Sequence, residues 1–234
     1  MDSKNIIDSI SAIYEKFHIP PILQSHMLRS AGLGWLISKE FDGNLTNIND
    51  IVATLLIHDL GNIAKIDFDS KFNRKLYGDN IGYWMKTKDM IVSTYGKNDH
   101  QATLIMAKEL GVSDRVYFLL ENITFEKTDF ILELDDWDLK ICAYADYRVA
   151  PFGIVSLKER IDDIKRRYKG KDTNPFNEPR TELLTKYTFE IEKEIFAQLS
   201  ISPSDINNES VEQHIKKHLL FNYKPSVKHE QKVA

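Results

Sequence analysis

Apolar residues recur at three- and four-residue intervals along most of the chain, a rhythm that predicts helix after helix and no extended sheet. Ile6, Ile7, Ile10, Ile13, Tyr14 and Phe17 form one stripe over residues 4–17. Pro20-Pro21 opens a second helix, since proline is tolerated in a first turn. Leu23, His26, Met27 and Ser30 share a face of it, and Gly32 and Gly34 predict close packing against a neighbour. Asp42-Gly43-Asn44 is a turn, after which Asn47 or Asn49 caps a third helix. On that helix Ile51, Val52, Leu55, His58 and Asp59 follow a single face, with Gly61 as the expected stop.

The rhythm then fades over 61–79, which is expected to be an irregular loop, functional or mobile. It resumes in a helix over 80–95, broken by Gly96. Asn98 or Asp99 caps the next helix, which carries His100 in its first turn and stops at Gly111. Ser113 opens another through Leu120, whereas 123–134 has no clear period: Phe125 to Leu134 could be extended, and irregular structure is expected. Asp135 or Asp136 caps a helix with Cys142, Asp146 and Val149 on one face, ended by Pro151-Phe152-Gly153. Ser156-Leu157-Lys158-Glu159 is a capping box that starts a helix into Arg166-Arg167-Tyr168. A linker at 169–179 leads to amphipathic helices over 179–199 and 209–221, and the polar stretch 224–234 is expected to be disordered.

Composition narrows the partners. A 42% hydrophobic content over 234 residues supports a sizeable core. A net charge of −4 without a polybasic stripe argues against duplex nucleic acid. The lone Cys142 excludes an internal disulfide and suits a reducing, cytoplasmic setting. No apolar run approaches the length of a membrane span.

The unusual feature is polar chemistry on inward-facing stripes. His26, the adjacent pair His58-Asp59, and Asp146 come from three separate helices. Each alone has a plain explanation: a hydrogen-bonded core histidine, a helix-end pair, or a carboxylate partnered with a buried cation. Together, two imidazoles and two carboxylates suit a divalent metal with positions left for water and substrate. His214 and His218 are also spaced for a metal, but Lys216 and Lys217 between them mark a solvated face.

The order and contexts resemble a known family. Gln24-Ser25-His26-Met27-Leu28-Arg29, Leu56-Ile57-His58-Asp59-Leu60-Gly61 and Tyr144-Ala145-Asp146-Tyr147-Arg148-Val149, followed by Ser156-Leu157-Lys158-Glu159-Arg160, are similar to segments of the HD-domain superfamily of metal-dependent phosphohydrolases. The resemblance covers roughly residues 20–168. It implies an all-α, HD-like helical bundle over 1–170. The C-terminal helical extension at 171–223 lies outside the resemblance, and its apolar faces predict packing on that core or on a second subunit of a homodimer. The resemblance implies one divalent ion (Mn, Fe, Co, Ni, Zn or Mg) on His26, His58, Asp59 and Asp146, and hydrolysis of a nucleotide or similar small phosphoester. Lys65, Arg148 and Arg29 are then the expected phosphate-binding side chains, and Asp67 or His100 the expected proton-transfer group. The sequence departs from alarmone-cleaving branches at Asn62, and a second histidine of dinuclear branches is missing near Glu121-Asn122, so a single metal is expected. The rival expectation is an HD scaffold that binds metal or nucleotide and regulates a partner.

Overall fold

The computed structural model describes residues 1–43, 45, 47–169 and 178–215 and has an all-α fold. Its helices are α1 (Ser3–Asp8), α2 (Ile10–Lys16), α3 (Pro21–Glu40), α4 (Ile48–Ile57), α5 (Lys71–Tyr77), α6 (Ile81–Tyr95), α7 (Asp99–Leu110), α8 (Asp114–Asn122), α9 (Thr128–Glu133), α10 (Trp137–Tyr147), α11 (Leu157–Tyr168), α12 (Pro179–Phe196) and α13 (Asn208–His214). A two-stranded hairpin, β1 (Val149–Ala150) and β2 (Gly153–Ile154), joins α10 to α11.

Two helices form the centre. In α4, every residue from Ile51 to Ile57 is buried, and in α10 every residue from Asp138 to Ala145 is. A helix buried on all sides must be wrapped on all sides, and the buried Asp138 and Lys140 of α10 are paired with Arg115 and Glu194. Here α3, α8 and α10 surround α4, α1 closes its remaining flank, and α12 covers α10. Gly34 makes the α3–α4 approach possible, because a Cβ there would meet the Leu55 side chain at 2.4 Å. Gly32 plays the same part against Val211 and Ile215 at the C-terminal end of the described chain.

Side-chain caps set most helix starts. Asn47, Asn98, Ser113 and Asp136 each accept a backbone N–H in the first turn of α4, α7, α8 and α10, and Ser156 and Glu159 form the expected reciprocal box on α11. Asp136 is also gripped by both Arg115 guanidinium nitrogens, at 2.6 and 2.7 Å. Burial alone would raise its pKa, but Arg115 and the Leu139 N–H hold it below the usual carboxylate range. This grip ties the start of α10, the helix that carries Asp146, to α8.

Several expected elements take a different form. The stripe over 4–17 is two helices divided at Ser9. Residues 61–79 contain a 3-10 turn (Asn62–Lys65) and all of α5, capped by Ser70. Residues 123–134, expected to be irregular, contain α9. Helix α4 stops at Ile57, so His58 and Asp59 stand in the turn just beyond it. Gly61 is not left-handed, with φ −81°, so it does not end the helix by that route. Residues 170–177 of the expected linker, the later part of the expected helix 209–221, His218 and the tail 224–234 lie outside the described residues.

Candidate metal centre and its cavity

The end of α4 explains why His58 points where it does. The last carbonyls of a helix lack partners within the helix. The Leu56 carbonyl accepts the Tyr14 hydroxyl at 2.8 Å, and the Leu55 carbonyl accepts His58 Nδ1–H at 2.8 Å. A carbonyl can only accept, so Nδ1 carries hydrogen and Nε2 of the neutral ring presents a lone pair. That Nε2 lies 3.2 Å from His26 Nε2 and 3.2 Å from Asp146 Oδ1, and His26 Nε2 lies 2.9 Å from the same oxygen. Three helices separated by long stretches of sequence thus converge on one small triangle.

His26, His58 and Asp146 form a group able to hold a metal ion. Around an ion with bonds of about 2.1 Å, neighbouring donor atoms sit about 3.0–3.4 Å apart, close to this triangle. Asp59 Oδ2 approaches the two imidazole nitrogens at 3.5 and 3.7 Å, slightly wider than the triangle itself. The donors suit a divalent ion chemically, imidazole nitrogen and carboxylate oxygen both being good ligands.

Electrostatics reports the same concentration of negative field. Burial works to lower the His58 pKa, but Asp59, Asp146 and the hydrogen bonds from the ring override it and raise it to about 9. Asp146 is held well below its ordinary value despite burial, because both imidazoles stabilise its charge. A site that binds a proton this firmly offers the same attraction to a metal cation.

His58, Asp59 and Asp146 line a cavity of about 560 Å³. Its wall continues through Asn62 and Lys65, the first turn of α7 with Asp99 and His100, the segment Ile123–Glu126, Tyr147, and one face of α11. Gly61 brings α7 in, because a Cβ there would lie 2.2 Å from the Asp99 carbonyl oxygen. The Gly61 N–H also donates to Thr103 Oγ1 at 2.9 Å.

The remaining expected site residues divide. Lys65 is on the cavity wall, its ammonium 2.6 Å from Asp99. Its side chain is more than half exposed; burial would lower its pKa, but Asp59, Asp99 and Asp146 raise it. His100 is also on the wall, with its pKa lowered chiefly by burial. Asp67 is elsewhere: it is exposed, and its Oδ1 accepts the Asp69 N–H in the turn that leads to Ser70 and α5. Arg148 is 2% exposed and faces away from the cavity wall. It donates to the Val155 carbonyl, the Tyr144 hydroxyl and the Pro203 carbonyl, and pairs with Glu192. Its role is to tie the hairpin and the C-terminal helices to α10, a correction to the phosphate-binding expectation. Arg29 is half-buried and does not line the cavity.

The residue that the spacing argument passed over is Arg160, on the cavity-facing side of α11 with Leu157, Ile161 and Ile164. The available signal was its i, i+3, i+4 relation to those apolar residues, which places a cation on an inward stripe. No family model, curated protein or solved structure matches this chain. Fold and site define an all-helical protein with a candidate His/Asp metal centre opening into a cavity, and no described helix is long and apolar enough to cross a membrane.

Proposed function

We propose that the protein is a metal-dependent phosphohydrolase of the HD type, acting on a nucleotide or similar small phosphoester. The observation that carries this reading is the triangle of His26 Nε2, His58 Nε2 and Asp146 Oδ1 beside a cavity walled by Lys65 and Arg160. His26, His58 and Asp146 would hold a divalent ion, with Asp59 as a fourth ligand. Such an ion supplies two things when bound: a more acidic water and neutralisation of phosphoryl charge.

The chain's own residues supply the rest. The Leu55 carbonyl keeps the His58 ring in the tautomer that leaves Nε2 free for a cation. Lys65, shared with Asp99, brings positive charge to the mouth of the cavity. His100 is neutral at pH 7 because burial lowers its pKa, so its ring can accept a proton from an attacking water or pass one on. The apolar wall of Ile123, Leu157, Ile161 and Ile164, with Phe125 and Tyr147, accommodates a planar or apolar body attached to the phosphate.

The test is phosphate release from a panel of nucleotides and simple phosphomonoesters and diesters, with Mn, Fe, Co, Ni, Zn and Mg added separately. Turnover with at least one metal, abolished by chelation, is expected. Tight nucleotide binding with no turnover on any substrate would instead favour the regulatory scaffold.

A further inference from the structure

We propose that Arg160 is the anion anchor of this cavity, the side chain that receives the non-bridging oxygens of a substrate phosphate. The proposal rests on the phosphoester reading of the site and adds the residue that would recognise its ligand.

Three observations converge on Arg160. First, it lines the cavity that also contains Asp59 and Asp146, within electrostatic reach of both. Second, its Nη1 is buried and has no hydrogen-bond partner among the described residues. A buried charged donor without a partner is costly, so a ligand oxygen that reached this nitrogen would be bound without displacing an existing hydrogen bond. Third, the neighbouring acid gives it an ion pair but no hydrogen bond. Asp163 Oδ2 lies 3.8 Å from Nη1, beyond hydrogen-bond range. Both Asp163 oxygens are already used, Oδ1 by Arg166 at 2.7 Å and Oδ2 by Arg167 at 2.9 Å.

Arg160 thus differs from the cations around it. Arg166 and Arg167 are satisfied on the outer side of α11, and Lys65 is satisfied by Asp99. Burial and the nearby Arg167 disfavour the Arg160 charge, while Asp146, Asp163 and Asp59 support it. A cation on the two imidazoles and Asp146 would engage those carboxylates and leave the guanidinium with only Asp163, 3.8 Å away and shared with Arg166 and Arg167, as its counter-charge. A tetrahedral oxyanion suits it, since a guanidinium fork matches two phosphate oxygens at once. A carboxylate ligand would use the same fork, and the experiment separates the two.

The test is calorimetric titration of the full chain with inorganic phosphate, and separately with acetate, in the presence and absence of Mn²⁺. Wild-type protein is expected to bind phosphate more tightly than acetate. Arg160→Gln is expected to weaken phosphate binding roughly 10- to 100-fold, as loss of a charge-assisted bond would. Metal content and melting temperature should be unchanged, and Asp163→Asn should bind phosphate as the wild type does. If Arg160→Gln does not fold, Arg160→Lys retains the charge without the fork, and about tenfold weaker binding is expected. Wild-type affinity in whichever of these Arg160 variants folds would overturn the proposal while leaving the phosphohydrolase reading intact. Preference for acetate, or absence of phosphate binding by the wild type, would overturn the phosphate assignment, whereas only failure of turnover on the substrate panel would overturn the phosphohydrolase reading.

Discussion

His58 carries the sharpest consequence at the scale of single residues. Its pKa is about 9 in the folded, metal-free chain against about 6.5 unfolded. A raised pKa stabilises the fold while the group is protonated, so the contribution is complete below about pH 6.5 and is lost as pH rises through about 9. The full difference is on the order of 3 kcal/mol. Metal-free protein should therefore melt at progressively lower temperature between pH 6.5 and 9, and His58→Gln should flatten that slope. A flat wild-type profile over this window would refute the claimed coupling of His58 to Asp59 and Asp146. Asp67 gives the opposite expectation. It is held in a surface turn, so Asp67→Asn should leave kcat and metal content near wild type, whereas His100→Ala should lower kcat roughly 10²- to 10⁴-fold. A comparable loss in Asp67→Asn would show that the 67–70 turn swings into the cavity.

These residues also show what a sequence discloses. His26, His58 and Asp146 were legible because each interrupts an apolar stripe, and burying a polar group needs a reason. Asp67 and Arg148 were misplaced because distance along the chain says nothing about direction. After Asp59 the chain makes a 3-10 turn that keeps Lys65 at the cavity and then carries Asp67 away. Arg148 lies only two positions beyond Asp146, yet it points into the packing between α10, the hairpin and α12.

Among elements, the long helices were readable from their period and their caps. Short ones were not: α5 has seven residues and α9 six, fewer than two full turns, too few for a period to emerge. The hairpin of two-residue strands has no alternating pattern at all, yet it turns the chain so that α11 faces the cavity. Arg148 binds this hairpin to α10 and to the carbonyls of Pro203 and Ile206. Arg148→Met would leave Glu192 without its buried counter-charge and several acceptors unmet. The expected cost is about 3–5 kcal/mol. That corresponds to a fall in melting temperature of roughly 10 °C for a chain of this size. A shift of a degree or two would mean that the C-terminal helices are held by their apolar faces alone.

For the whole molecule, the candidate metal centre joins parts that are remote in sequence. His26 comes from α3, His58 from the end of α4 and Asp146 from the last turn of α10, the helices whose mutual packing is the core. An ion at that junction would link core assembly to site assembly, because it binds the folded arrangement and not the unfolded chain. The most direct measurement is elemental analysis of the purified full chain, wild type beside His58→Ala and Asp146→Asn. About one divalent ion per chain is predicted for the wild type, and essentially none for either variant. Full occupancy in either variant, or a wild-type chain that neither contains nor takes up a divalent ion, would contradict the account.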